Sequence, residues 1–448
     1  MSKLLIGVTA AVTSILAEGV ALADDSAAAT EGAAPKVPTV VVTATPLSTD
    51  PDFLATIVDA VPRDEILRKG GANLADSLSD VPGVTGTSFA LGASRPIIRG
   101  FDAQRVRTLE DGIGSFDVSD VGPDHGVPID PLAAQQVEVV RGAATLRYGS
   151  QAIGGVVNAT NNRVPLTLPD RPISGEVTGS YGSNADTRQG AGLLDGAAGD
   201  FAFHLDGFGR RTNDYDIPGG RQGNSFFRGD GVSGGTSYFF GPDQDPSHVG
   251  VAVIHYDSKY GIPSDTTYID MKQTKELLRS SFTVDYGALQ KVTVEGGYAE
   301  YRHTENEPDG TVDSTFRDRE WDSRVEAVFG QLGPFSGAAV GLQAQRKNFS
   351  ALGEDSDYLF PTVTQTEALF AFAESPLSQV VRLQAGARVE HVKIDGTPAS
   401  DVSTTRNFTP VSGSVGVVYD ATSTVRLGLT ASSAARAPAQ TELFARGG

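Results

Sequence analysis

The chain has no cysteine. That excludes disulfides, thiolate metal centres and a cysteine nucleophile. It is also short of positive charge: 36 Lys and Arg stand against 55 Asp and Glu, for a net charge of −19. A general nucleic-acid binder needs a basic surface to displace counterions, so no nucleic-acid partner is expected. No segment beyond the N-terminal region has the ~18–20 unbroken apolar residues of a spanning helix. Gly-x-Ser-x-Gly, His-Glu-x-x-His and Cys-x-x-Cys are all missing. The glycine-rich stretch 149–155 is not followed by the Lys-Ser or Lys-Thr of a phosphate loop. These absences leave no motif for an enzyme.

What is present is glycine, 52 residues in 448, and only 39% hydrophobic content. That length fits several soluble domains or one large β structure. Residues 1–23 have the order of a secretory signal. Lys3 is the only charge before a mostly apolar run, and Ala21-Leu22-Ala23 gives a small-residue cleavage site. An exported chain without a spanning helix is periplasmic, secreted, or a β-barrel of an outer membrane.

Residues 24–38 are Ala-rich and polar and read as a linker within 24–52. Thr39, Val40, Val41, Val42, Thr43, Ala44, Thr45 and Pro46 follow, a β-prone segment with no partner nearby in sequence. Beside a flexible tail, it suits addition to another protein's sheet edge as well as an ordinary first strand. Residues 53–163 form a compact α+β region. Ile66, Leu67, Leu74 and Leu78 have helical spacing, broken at Gly70-Gly71. Stretch 137–158, VEVVRGAATLRYGSQAIGGVVN, reads as two apolar strands joined through small residues and glycines.

From Ile173 onward the pattern changes to period two. In 321–329, Trp321, Val325, Ala327 and Phe329 alternate with Asp322, Arg324 and Glu326. Stretches 338–346, 380–392 and 424–432 repeat the pattern. One face is apolar and the other carries charge that could not face lipid, as in transmembrane barrel strands. The count is about twelve strands. Connections 212–247, 257–272, 304–315 and 350–363 are expected on the outer side, and the turns 195–200 and 286–290 on the periplasmic side.

This order of parts resembles the TonB-dependent outer-membrane receptors. TVVVTATP looks like the TonB box, and RPIIRGFDAQRVRTLEDG and VEVVRGAATLRYGSQAIGGVVN look like the two plug signatures. The resemblance implies an α+β plug domain, residues 53–163, followed by an antiparallel transmembrane β-barrel, residues 173–448. It implies that Thr39, Val40, Val41, Val42, Thr43 and Ala44 pair with the periplasmic domain of TonB as an added strand. Family barrels have 22 strands, so the expectation is an incomplete, C-terminally truncated barrel and a non-functional fragment. Expected surroundings are outer-membrane lipid and a metal ion or metal chelate.

Within the family the chain is most similar to the zinc-uptake receptors, through Asp124-His125 in VGPDHGVPIDPL, through Tyr260-Gly261-Ile262-Pro263, and through LGLTASSAARAPAQTELFARG. This implies Asp124 and His125 as metal ligands, zinc as the transported ligand and no tightly bound cofactor. On chemistry alone, one Asp-His pair in a Gly-Pro loop reads as a solvated turn. Ser264-Asp265-Thr266-Thr267 stands where zinc receptors often carry histidines. Glu295 and His303 share a lumen-facing parity, but the sequence places neither beside His125. Asp111, Asp117, Asp120 and Asp124 read as a solvated acidic loop rather than a calcium site, lacking EF-hand spacing. Arg95, Arg99 and Arg141 are expected to pair with carboxylates such as Glu138 and Glu110. The function implied is energy-coupled uptake of a scarce nutrient, with zinc as the leading ligand. The alternatives are an iron-chelate receptor for siderophore or haem, and a surface binding protein that does not transport.

Overall fold

The computed structural model describes Thr43, Pro46, Leu47, Ala55 and residues 58–446, except Ser264 and Ser423. The expected signal, the linker, Val40, Val41, Val42 and Ala44 lie outside the described residues.

The α+β region holds β1 (Val58–Pro62), α1 (Arg63–Lys69), α2 (Leu74–Ser77), β2 (Val84–Gly86), β3 (Pro96–Ile98), β4 (Val106–Glu110), β5 (Ile113–Gly114), β6 (Gln136–Val140) and β7 (Gly155–Thr160). Its main sheet runs β1-β6-β7-β4-β5, and β2 pairs with β3. The helical pattern breaks where expected. Gly70 ends α1 at φ 65, with its N–H on the Ile66 carbonyl, and Asn73 caps α2 by accepting from Asp76 N–H. Ile66, Leu74 and Leu78 bury against Val137, Val139 and Val157. Strands β6 and β7 are antiparallel, Val140 opposite Val156, with a 3₁₀ run Gly142–Tyr148 between them.

The wall comprises β8 (Ile173–Gly182), β9 (Thr187–Ala198), β10 (Phe201–Thr212), β13 (Phe227–Phe240), β14 (Ser247–Gly261), β15 (Tyr268–Tyr286), β16 (Leu289–Asn306), β17 (Val312–Phe329), β18 (Gly337–Gly353), β19 (Thr362–Pro376), β20 (Val381–Gly396), β21 (Thr404–Phe408), β22 (Val411–Asp420) and β23 (Arg426–Ser433). A small hairpin of β11 (Asp216–Ile217) and β12 (Gly220–Arg221) stands in the connection after β10, and α3 (Gln440–Phe444) follows β23. The sheet is an antiparallel meander of fourteen strands from β8 to β23, with β21 and β22 both lying along β20.

The period-two reading matches the two faces. On β17, Trp321 and Val325 are exposed, while Asp318, Glu320, Asp322, Arg324 and Glu326 are buried against the lumen. All four expected outer connections are corrected. Stretch 212–247 contains β13, and the strands run on to shorten 257–272 to 262–267, 304–315 to 307–311 and 350–363 to 354–361. The lumen face of β13 is mostly glycine and serine, which hides its alternation. The reason is close approach: a Cβ at Gly235 would lie 2.0 Å from the Arg163 carbonyl oxygen.

Plug and wall are joined by charge pairs. Arg107 pairs with Asp322 at 3.1 Å, Lys275 with Glu110 at 2.9 Å and Arg210 with Asp130 at 3.0 Å. Arg95 and Arg141 do pair with plug carboxylates, but with Asp102 and Asp59 rather than the expected Glu138 and Glu110; Glu110 is held by Arg163 and Lys275. The acidic loop is not a solvated one either, since Asp111 and Asp117 are buried between plug and wall.

Candidate functional site

Asp124 and His125 sit in the plug loop between β5 and β6, and the fold holds that loop tightly. Gly126 N–H donates to the Tyr260 hydroxyl at 2.8 Å, and that hydroxyl donates to the Asp124 carbonyl at 2.9 Å. A Cβ on Gly126 would meet the Gly92 carbonyl oxygen at 2.2 Å, so only glycine fits. Tyr260 belongs to the Tyr-Gly-Ile-Pro stretch, which here acts as the wall-side anchor of the loop.

His125 Nδ1 lies 3.1 Å from the Val118 carbonyl oxygen. That atom only accepts, so the geometry assigns a proton to Nδ1. Nε2 then faces Glu305 Oε1 at 3.2 Å. In the neutral ring both of these atoms are acceptors, so a proton or a metal ion must stand between them. Burial acts to lower the pKa of His125, but the hydrogen bond to Glu305 and the charges of Asp124 and Glu305 outweigh it and hold the imidazole above its usual value.

His303 completes the group. Its Nε2 is 3.6 Å from Glu305 Oε1 and has no hydrogen-bond partner among the described residues, although the ring is fully buried. Its Nδ1 meets the Tyr301 hydroxyl at 2.9 Å. The rings of His125 and His303 are 4.5 Å apart, and Phe316 packs on both. The candidate ligand atoms of His125, His303 and Glu305 all lie within 4.8 Å of one another, and Asp124 Oδ1 is 3.8 Å from His125 Nε2. Ligands ~2.1 Å from a tetrahedral Zn²⁺ stand ~3.4 Å apart, so 3.2 and 3.6 Å are close to that spacing. Two imidazoles and a carboxylate are a fitting donor set for zinc.

The sequence located one side of this group. His303 does stand beside His125, which the sequence could not place. Glu295 does not: it pairs with Arg324 and Arg279 elsewhere on the wall. Glu305 was missed, because 304–315 read as a loop. Its signal was the His-Thr-Glu spacing at 303–305, which puts both donors on one strand face.

A second arrangement surrounds Thr43, the described residue in the middle of the β-prone segment. Its N–H and hydroxyl donate to Glu138, at 3.1 and 2.6 Å. Its carbonyl accepts from Arg147 and from the Tyr148 hydroxyl, both at 2.6 Å, and Asn158 donates to its hydroxyl at 3.0 Å. All four partners come from stretch 137–158. Arg147 also pairs with Glu326 of the wall at 2.8 Å.

A small domain seated within a meander of membrane-type strands, with a buried cluster of candidate metal ligands where one of its loops meets the wall, defines a plug-and-barrel architecture. Two family models match the chain: TonB-dependent Receptor Plug Domain over residues 51–156, and TonB dependent receptor-like, beta-barrel over residues 197–448. The protein belongs to the TonB-dependent receptor family of outer-membrane β-barrel receptors, which are not enzymes. Among curated relatives it is similar to a hemin receptor of Yersinia enterocolitica, 33% identical over 181 residues, 38% of this chain and 26% of that protein. It is also similar to heme/hemopexin utilization protein C of Haemophilus influenzae, 34% identical over 111 residues, 24% of this chain and 15% of that protein. Among solved structures it shares the fold of the copper transporter OprC, with a TM-score of 0.72 at 18% identity, covering 86% of this chain and 66% of that one. The hemophore receptor HasR of Serratia marcescens gives 0.71 at 17%, covering 87% and 64%. The chain thus spans about two thirds of the solved receptors' length.

Proposed function

We propose that the protein is a receptor for energy-coupled uptake of a divalent transition metal across the outer membrane, with zinc as the cargo. The observation that carries this reading is the convergence of His125 Nε2, His303 Nε2 and Glu305 Oε1, with Asp124 beside them. The cargo binds on the plug loop, and residues 39–46, held through Thr43, are the segment that the periplasmic domain of TonB captures by strand addition. The outer membrane holds no usable energy source, so the pull comes through TonB. Residues 1–23 export the chain.

The test is zinc binding by the purified receptor and zinc-limited growth of cells that carry it. The reading expects tight binding that His125→Ala abolishes, and growth that deletion of residues 39–46 abolishes. Unchanged zinc affinity in His125→Ala rejects the site, and growth that survives the deletion rejects the coupling.

A second reading, an iron chelate such as haem, is favoured by the similarity to hemin receptors. The donor set speaks for the bare ion. Two axial imidazoles of a haem lie on opposite faces of the macrocycle, whereas these rings are 4.5 Å apart and share the Phe316 contact. A Soret band on addition of haem, lost in His125→Ala, would decide for the chelate.

A further inference from the structure

The loop that positions His125 carries a second group of acids. Asp117 and Asp120 lie on either side of Val118, whose carbonyl holds His125. From the wall, Asp318 and Glu320 follow Phe316 along the lumen face of β17, at ~7 Å per pair of residues. Lys347 of β18 stands among the four. Its Nζ donates to the Asp117 carbonyl at 2.8 Å and lies 3.4 Å from Asp318 Oδ2, 3.8 Å from Asp120 Oδ1 and 4.0 Å from Glu320 Oε2. A cavity of about 140 Å³ opens between these elements, lined by Asp117, Asp120, Glu320, Lys347, Gln104 and Gln345 among others.

Charge and hydrogen bonding are both unbalanced here. Four carboxylates share one ammonium. Arg107 also borders the cavity, but it is engaged by Asp322 and by the Tyr148 carbonyl. Asp318 is 1% exposed, and neither of its carboxylate oxygens has a hydrogen-bond partner among the described residues. Asp117 is 7% exposed and borders the cavity, and its Oδ2 is unpartnered in the same way, as is Asp120 Oδ1. Buried acceptors without donors are costly. A divalent cation satisfies several carboxylate oxygens at once and offsets the surplus charge. An all-oxygen set is a hard one, of the kind that holds magnesium, calcium or manganese and binds zinc without imidazole. The oxygens are arranged around the Lys347 ammonium, which occupies the place a free cation would take.

We propose that Asp117, Asp120, Asp318 and Glu320 form a second divalent-cation site, opened when Lys347 moves aside, where a cation leaving the histidine centre is next received. The two centres share one plug loop, and their wall donors stand on the paired neighbours β16 and β17, so the transfer requires no long free passage. The order of transfer rests on the reading of the histidine centre as the entry site; the second site itself does not.

The test uses the purified receptor with its histidine centre first filled by zinc, which outcompetes manganese there. Manganese(II) binding is then followed by electron paramagnetic resonance. Lys347→Met is expected to bind one further manganese at least ~10-fold more tightly than the unsubstituted receptor, from loss of a cation within about 4 Å. Adding Asp117→Asn to Lys347→Met is expected to remove the gain. A folded Lys347→Met with unchanged zinc affinity and no added manganese overturns the proposal, as does a gain that survives Asp117→Asn. Should Lys347→Met fail to fold, the weaker manganese site of the unsubstituted receptor is compared with Asp318→Asn. Loss of that site supports the proposal and its persistence overturns it. The zinc affinity of His125→Ala reports separately on the histidine centre.

Discussion

At the scale of single residues, the centre depends on how each imidazole is turned. Val118 accepts from His125 Nδ1, and the Tyr301 oxygen can accept from His303 Nδ1, which leaves both Nε2 atoms toward Glu305. Tyr301→Phe removes an orienting partner, not a ligand, and is expected to weaken zinc by about 10–100-fold in a calorimetric titration. Glu305→Gln removes a ligand charge that both histidines face, and is expected to cost more than Tyr301→Phe. Protons compete with metal for the same Nε2 lone pair. His125 is held above the ordinary histidine value because Glu305 and Asp124 outweigh its burial. Zinc affinity should therefore fall as pH drops, beginning at a higher pH than for an ordinary histidine, and titrations between pH 5.5 and 8 check the direction.

At the scale of elements, the loop after β5 and the hairpin of β6 and β7 divide the work. The loop has no slack at Gly126, where a Cβ would press on backbone at 2.2 Å. Gly126→Ala is expected to displace the Asp124-His125 pair at a cost of about 1–3 kcal/mol, read as weakened zinc binding with the Thr43 seat unchanged. The hairpin holds Thr43 through Glu138, Arg147, Tyr148 and Asn158. Tyr148→Phe deletes one of those hydrogen bonds, worth about 1 kcal/mol. Binding of the TonB periplasmic domain to the metal-free receptor is expected to tighten by about fivefold, because less is lost when the segment leaves its seat. Equal affinity in both forms would show that the seat does not restrain the segment.

At the scale of the whole molecule, the proposed metal centre joins two parts that are separate in sequence. His125 belongs to the plug, and His303 and Glu305 belong to a wall strand. A cation bound by both should therefore resist separation of plug from wall. With zinc at 100 times its dissociation constant, the linkage is worth about 2.7 kcal/mol. Zinc should raise the denaturant midpoint of plug release, a chelator should reverse it, and Glu305→Gln should remove the effect. The plug also meets the wall through Arg107–Asp322, Arg147–Glu326 and Lys275–Glu110. Buried pairs of this kind are costly to break by removing one partner, which gives the seated plug a definite orientation.

The sequence by itself determined the kinds of element and their order. Period-two alternation follows from side-chain geometry on a strand, so Trp321 and Val325 against Asp322 and Arg324 announced a lipid face and a polar lumen without any contact information. The helix break at Gly70 and the hairpin of 137–158 were legible for the same local reason. Only the tertiary structure decided what meets what. β13 escaped notice because its lumen face is mostly glycine and serine: Gly235 is kept bare by the Arg163 carbonyl and Gly231 by the Phe208 ring, constraints set by other segments. Glu305 escaped because the wall strands continue past the apolar band, where both faces turn polar and the period fades. Asp117 read as solvent-exposed because its burial comes from wall strands far along the chain. Asp124-His125 was visible as a pair, but a metal centre needs donors converging within a few ångströms, and His303 and Glu305 reach it only when the plug is seated against β16.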